Sequence, residues 1–257
     1  MLCREVIDRI EEVYPRHYAM NWDNVGLLAG RMDKEVKRVW IALDLTDEVL
    51  DEAVRWNADM ILTHHPLIFS PLHKVTDEDF IGKRVVKLIQ HDIAYYAMHT
   101  NYDVLRMGEL AAAFLNMEQI EVLEPVSEDG KGIGTIGKFA EKMTLGQCCK
   151  LVKETFRLDA VKVFGEKNQE IQTAAVCPGS GKSVINQAIQ KHADVLITGD
   201  IGHHEGIDAV AENLNIIDAG HYGLEHIYME DMKDFLQQRI PEMEIRVSDL
   251  KSPFCIC

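Results

Sequence analysis

The 257 residues are 47% hydrophobic and 27% charged, a composition that buries a core in one large or two small domains and excludes a disordered chain. Lysine and arginine number 27 against 42 aspartates and glutamates, a net charge of −15, which disfavours a nucleic-acid partner because a phosphate backbone needs a cationic face. No apolar run approaches the ~20 residues of a membrane span, and the charged N-terminus lacks the apolar core of a signal peptide, so a cytoplasmic protein is expected.

The first element is a helix over residues 4–13, followed by a turn around Trp22-Asp-Asn-Val-Gly26. An apolar strand then starts near Val36, and after a polar turn and an amphipathic helix comes a second strand at residues 60–62, ending in Thr63-His64-His65-Pro66. Another apolar run, residues 93–97, leads into His99 and Asp103. The acidic, glycine-rich stretch 127–134 reads as a boundary, with a strand over 134–140 after it and a helix over 145–155. Residues 171–200 then repeat the order of residues 36–65 without gaps: strand, polar turn, helix, Ala-Asp, strand, Thr. Ala193-Asp194 through Thr198 correspond to Ala58-Asp59 through Thr63. After the run 215–219, His221 and Glu225 repeat the spacing of His99 and Asp103. A last strand is read at 244–247.

The chain is therefore expected to be α/β, with two similar halves related by internal duplication, largely parallel sheets flanked by helices, and a metal site in the cleft between them. The halves are set at residues 1–125 and 126–257, with a C-terminal helix or strand returning to the first.

In parallel α/β sheets, ligands collect beyond the carboxyl ends of the strands, which is where His64, His65, His99 and His221 stand. Adjacent residues of a strand point to opposite faces, but Pro66 ends the ladder and turns the chain, bringing both imidazoles to one side. Residues four apart share a face of a helical turn, which pairs His99 with Asp103 and His221 with Glu225. Four imidazoles and two carboxylates exceed the four ligands of a single zinc site and suit two divalent ions, drawn from Zn, Fe, Mn, Co or Ni. His99 fits either as a ligand or as a residue that orients one. A lone histidine is ordinarily a surface or hydrogen-bonded residue; the repeated spacing argues against that here. In the second half Gly199-Asp200 replaces His64-His65, so duplication yields one asymmetric shared site.

Other motifs carry less. His203, His204 and Glu205 are candidates for proton transfer, or simply the surface start of a helix. Gly179, Ser180, Gly181, Lys182 and Ser183 resemble the end of a phosphate loop, but Val176 stands where the first glycine belongs, and a tight turn is the favoured reading. Gly132, Gly134 and Gly137 fit a dinucleotide pattern without a preceding strand, which argues against nicotinamide or flavin. The six cysteines, including the terminal Cys255-Ile256-Cys257, make no disulfide framework or CxxC pair.

The segments WDNVGLLAG (22–30), ILTHHPLIF (61–69), HTNYD (99–103), AVCPGSG (175–181), TGDIGHHEGIDA (198–209) and GHYGLE (220–225) together resemble the Nif-three-like family, often labelled GTP cyclohydrolase I type 2 homologues. The resemblance runs nearly the whole length and departs at Tyr102, where the family has leucine. It implies a dinuclear site on His64, His65, Asp103, His221 and Glu225 with His99 close by, a short form without an inserted middle domain, and a ring-shaped homohexamer with sites facing an interior cavity.

Three functions fit: a metal-dependent hydrolase acting on a nucleotide or phosphorylated small molecule, a protein that stores or delivers metal, and an interaction protein whose metals are structural. The first is the leading expectation.

Overall fold

The computed structural model describes residues 1–255, and the chain divides into two compact units: residues 1–102 with 228–250, and residues 103–227 with the segment from 251. The first unit opens on α1 (Cys3–Glu11), where Cys3, Val6, Ile7 and Ile10 recur at helical spacing and are buried. β1 (Gly26–Ala29), β2 (Arg38–Ala42), α2 (Asp47–Arg55), β3 (Met60–Thr63), α3 (Phe80–Gln90), β4 (Ala94–Ala97) and the short α4 (Thr100–Tyr102) follow. Side-chain caps start both longer helices: Thr46 accepts from Val49 N at 3.2 Å and Asp79 accepts from Gly82 N at 2.8 Å. β3 and β4 are buried at every residue, so they are continuous apolar runs, as strands covered on both faces must be. Leu50 and Ala53 from α2 and Leu88 from α3 pack on Trp40, Ile61 and Tyr95 of the sheet.

In the second unit a wide helical turn, Asp103–Met107, leads to α5 (Gly108–Phe114), β5 (Glu118–Pro125) and β6 (Gly132–Thr144). α6 (Leu145–Phe156), β7 (Lys162–Phe164), β8 (Glu170–Ser180), α7 (Ile185–Gln190), β9 (Val195–Gly199), α8 (His203–Ala211), β10 (Asn215–Asp218) and α9 (His221–Glu225) complete it. The chain then runs through α10 (Ile227–Arg239) to β11 (Glu244–Val247), which pairs parallel with β2 in the first sheet. The first sheet has the order β1-β4-β3-β2-β11, the second β5-β6-β8-β9-β10-β7. Within them β1-β4-β3-β2 and β7-β10-β9-β8 have the same order and the same directions: three parallel strands with an antiparallel edge strand.

Several boundaries differ from the sequence reading. The acidic stretch after Pro125 is the turn of the β5–β6 hairpin, closed by Val126 N donating to Lys131 O at 2.9 Å, and lies inside the second unit. The strand expected over 134–140 extends over Gly132–Thr144. A strand does precede the Gly132, Gly134, Gly137 pattern, but all three glycines lie within the β6 ladder, remote from any strand-to-helix turn. The helix of the second repeat is six residues long, Ile185–Gln190, and is preceded by a 3-10 turn, Gly181–Val184. No helix among the described residues is long and apolar enough to cross a membrane. Cys3, Cys148 and Cys177 are buried, and burial pushes the Cys148 thiol up to about 12; Cys257 lies outside the described residues.

The repeat has a physical basis in one carboxylate per half. Asp59 Oδ2 accepts from the backbone N of Lys37 and of Arg38, both at 2.9 Å, at the entrance to β2. Asp194 Oδ2 accepts from Gln172 N and Thr173 N, both at 2.8 Å, inside β8. The Asp backbones are also paired: Asp59 N donates to Arg38 O and Asp194 N to Thr173 O. Each aspartate thus sets the register of its two parallel strands from the entering end. Asp59→Ala and Asp194→Ala strand two backbone donors each. Each substitution is expected to lower stability by about 1–3 kcal/mol, read as a shift of the urea unfolding midpoint. Midpoints unchanged in both variants would remove the clamp from the account.

Candidate metal centre

In the first unit three imidazoles converge. His64 and His65 follow β3, and the backbone N of each donates to the end of β2 or the residue after it: His64 to Ala42 O at 3.4 Å and His65 to Leu43 O at 2.9 Å. Tyr95 and Thr63 pin the turn. Thr63 Oγ1 donates to His65 O at 2.8 Å, Tyr95 OH donates to the same carbonyl at 3.1 Å, and Leu67 N donates to Tyr95 OH at 2.7 Å. The two rings consequently lie side by side, with centroids 4.9 Å apart. His99, after β4, has its ring centroid 5.4 Å from that of His64 and 5.5 Å from that of His65. One ring nitrogen from each of the three lies within 4.8 Å of the others, a grouping that can hold a metal ion. His64 is fully buried, packed on Tyr228 at 5.0 Å between centroids.

The second unit contributes a mixed group. α9 begins at His221 and ends at Glu225, so the two share a face; His221 Nε2 lies 3.0 Å from Glu225 Oε2. A carboxylate oxygen of Asp103, the first residue of the turn Asp103–Met107, lies within 4.8 Å of one from Glu225. Donors that each sit about 2.1 Å from a common ion are separated by roughly 3 Å or more, so the three imidazoles, and the pairs His221–Glu225 and Asp103–Glu225, have the spacing of ligands as well as their chemistry.

What the sequence reading missed is how the rings are held. His65 Nδ1 is 2.9 Å from Asp44 Oδ1, His99 Nδ1 is 2.9 Å from Asp23 Oδ1, and His221 Nδ1 is 2.8 Å from Asp200 Oδ2. A carboxylate on Nδ1 takes that nitrogen's proton as a hydrogen bond, fixes ring orientation and leaves the lone pair on Nε2, the tautomer a metal ligand needs. Asp23 is itself anchored, accepting from Thr100 N at 3.0 Å and Thr100 Oγ1 at 2.5 Å. Burial opposes its ionisation, but the hydrogen bonds from His99 and Thr100 outweigh that and bring its carboxyl down to about 2. No spacing rule finds Asp23 or Asp44, which stand far along the chain from their histidines.

The repeat explains why the second unit is not a copy of the first. In the alignment of residues 36–65 with 171–200, His65 corresponds to Asp200 and Asp44 to Gly179. Asp200 orients His221. Gly179, at φ +79°, has no side chain because Glu225 Oε1 fills that space. At Gly199 a Cβ would come 2.5 Å from His221 N, so that glycine lets the start of α9 approach β9.

The remaining candidates do not join either group. Gly179 and Ser180 end β8, Gly181 packs against the Thr198 side chain, and Lys182 and Ser183 are exposed, so packing accounts for the glycines of this loop. His203 and His204 are exposed at the start of α8, and Glu205 pairs with Lys182, whose hydrogen bond lowers its pKa.

The family described as Duf34/NIF3 (NGG1p interacting factor 3) matches residues 1–253. A relative from Clostridium acetobutylicum named GTP cyclohydrolase 1 type 2 homolog is 32% identical over 253 residues, 97% of this chain and 94% of its own. One of the same name from Streptococcus pneumoniae is 36% identical over 93% of this chain and 91% of its own. Among solved structures, a Staphylococcus aureus protein superposes with a TM-score of 0.92 at 29% identity, covering 100% of this chain and 99% of that one. Reduced HcgD from Methanocaldococcus jannaschii gives 0.84 at 31% identity, covering 97% and 98%.

Asp44→Ala and Asp200→Ala leave every donor in place and release one ring each. Each is expected to weaken divalent-metal binding by roughly 10–100-fold in a calorimetric titration. Gly179→Ala pushes the Glu225 carboxylate aside and is expected to weaken it as well. Affinities equal to the parent's in all three would show that these contacts do not prepare ligands.

Proposed function

The chain belongs to the Duf34/NIF3 family, and from that membership and its donor groups we propose that it is a dinuclear metal-binding protein. The proposed ligands are His64 and His65 of the first unit and Asp103, His221 and Glu225 of the second, with His99 beside the first two. The observation that carries this reading is the set of three aspartates aimed at Nδ1 of His65, His99 and His221. Packing alone requires no such arrangement, and it recurs in both units. Nitrogen and carboxylate donors without a thiolate suit Zn²⁺, Fe²⁺, Mn²⁺, Co²⁺ or Ni²⁺.

The reaction class we attach to the site is hydrolysis of a nucleotide or another phosphorylated small molecule. A bound ion of this kind supplies Lewis acidity, polarising a substrate oxygen and making water acidic near neutral pH. The protein's share is orientation: rigid rings on Tyr95-pinned and Asp-pinned loops, and buried neighbours such as Tyr228 and Tyr102 that keep water from His64. Storage or delivery of metal is the second reading, favoured by the 35% exposure of the His221 side chain, which leaves a route for exchange. The assembly proposed with either is a homohexamer.

Elemental analysis of the purified protein is expected to find about two transition-metal ions per chain. Glu225→Gln and His65→Ala, one from each group, are each expected to lower that content. Protein that stays metal-free after incubation with all five ions ends the proposal. Release of phosphate or opening of a nucleotide ring by the loaded protein supports the hydrolase; transfer to an apo-acceptor with no turnover supports delivery.

A further inference from the structure

Two large aromatic side chains border the imidazole group and face outward. Trp22 is 59% exposed and Phe69 51% exposed, values at which neither residue adds much to a core. They are not isolated. Their ring centroids lie 5.8 Å apart at an interplanar angle of 42°, and both stand over His99: Trp22 at 5.9 Å and 75°, Phe69 at 6.5 Å and 68°. The loops that carry them are fixed to the donor group and to each other. Asn24 Nδ2 donates to Ile68 O at 2.6 Å, joining the Trp22 turn to the Phe69 loop. Asp23, next to Trp22, holds His99. Leu67, two residues before Phe69, donates its N–H to Tyr95 OH, the hydroxyl that pins the His64-His65 turn.

The sequence thus places an exposed indole and phenyl on the two loops that orient His65 and His99. Exposed aromatic faces held rigidly lose little conformational freedom on binding, and their π-faces accept a flat ring in offset or edge-to-face contact. We propose that Trp22 and Phe69 form a stacking platform for a planar aromatic ring of the substrate, which makes the substrate class a small molecule with a flat heteroaromatic base rather than a simple sugar phosphate or other non-aromatic phosphoester. The proposal rests on the reading of the neighbouring imidazoles as a metal centre, since the aromatic pair lies against His99. The Asp23–His99 contact ties recognition to the centre: the turn that presents the indole also orients an imidazole.

The test uses the full chain, as purified and after zinc loading, with adenosine monophosphate and guanosine monophosphate as ring-bearing probes and ribose 5-phosphate as the ring-free control. Trp22 fluorescence is isolated as the difference between the parent and Trp22→Phe, since Trp40 and Trp56 emit in both. Saturable quenching by the nucleotides but not by ribose 5-phosphate is expected, with binding about fivefold weaker or more in Phe69→Ala, given stacking worth ~1–3 kcal/mol per base. Zinc uptake in Phe69→Ala is expected to match the parent. Equal affinity for nucleotide and sugar phosphate overturns the platform while leaving a metal centre intact. So does a smaller oligomer in Phe69→Ala or Trp22→Phe, which would make the aromatic pair a contact between copies. Ring-selective quenching in a protein that takes up none of the five ions upholds the platform and removes the metal reading instead.

Discussion

A neutral imidazole has two nitrogens and one proton, and which nitrogen keeps the proton decides whether the ring can bind a metal. In this protein an aspartate settles the matter at His65, His99 and His221, each from a different loop. The loops exist in these positions because parallel strands end together: β2, β3 and β4 in the first unit, β8, β9 and β10 in the second. Asp59 and Asp194 fix the register of those strands from the opposite end. A one-residue slip would exchange the faces of every side chain beyond it, turning the histidines away from their carboxylates.

Duplication supplied the frame and substitution distinguished the halves. The first unit spends its strand ends on three imidazoles. The second has Asp200 in the place of His65 and Gly179 in the place of Asp44. Both changes serve the same helix: Asp200 holds His221, and the missing side chain at residue 179 admits Glu225. A carboxylate-rich group and an imidazole-rich group have different preferences among metals and charge states. The chain therefore carries two donor sets of different chemistry where two identical copies would carry one.

Much of the fold was legible because its signals are local or repeated. Ala58-Asp59 and Ala193-Asp194 stood out as a repeated dipeptide, and the structure gives the reason in the backbone donors each aspartate receives. Continuous apolar runs such as 60–63 and 94–97 announce covered parallel strands. β5 and β6 have no counterpart in the repeat, and their glycine and acidic residues gave the signal of a boundary while forming a hairpin. The candidate donors were readable because histidine and carboxylate recur at one spacing. Asp23 and Asp44 were not, because an aspartate in a turn is ordinary until the fold brings it to a ring. Tyr95 was hidden in an apolar run; only its hydroxyl, bonded to Leu67 N and His65 O, reveals its part in shaping the turn.

β11 lies parallel to β2, with Glu244 opposite Arg38 and Val247 opposite Ile41. Nearly the whole chain must be synthesised before that ladder can close, so as the polypeptide leaves the ribosome the first sheet waits with an open β2 edge while the second unit is completed. Loop closure over such a separation is slow compared with the local pairings of β5 with β6. An open edge is also where strands of separate molecules join. Truncation before β11 would therefore leave the apolar β2 as the border of the sheet, in place of a four-residue final strand that carries Glu244 and Arg246.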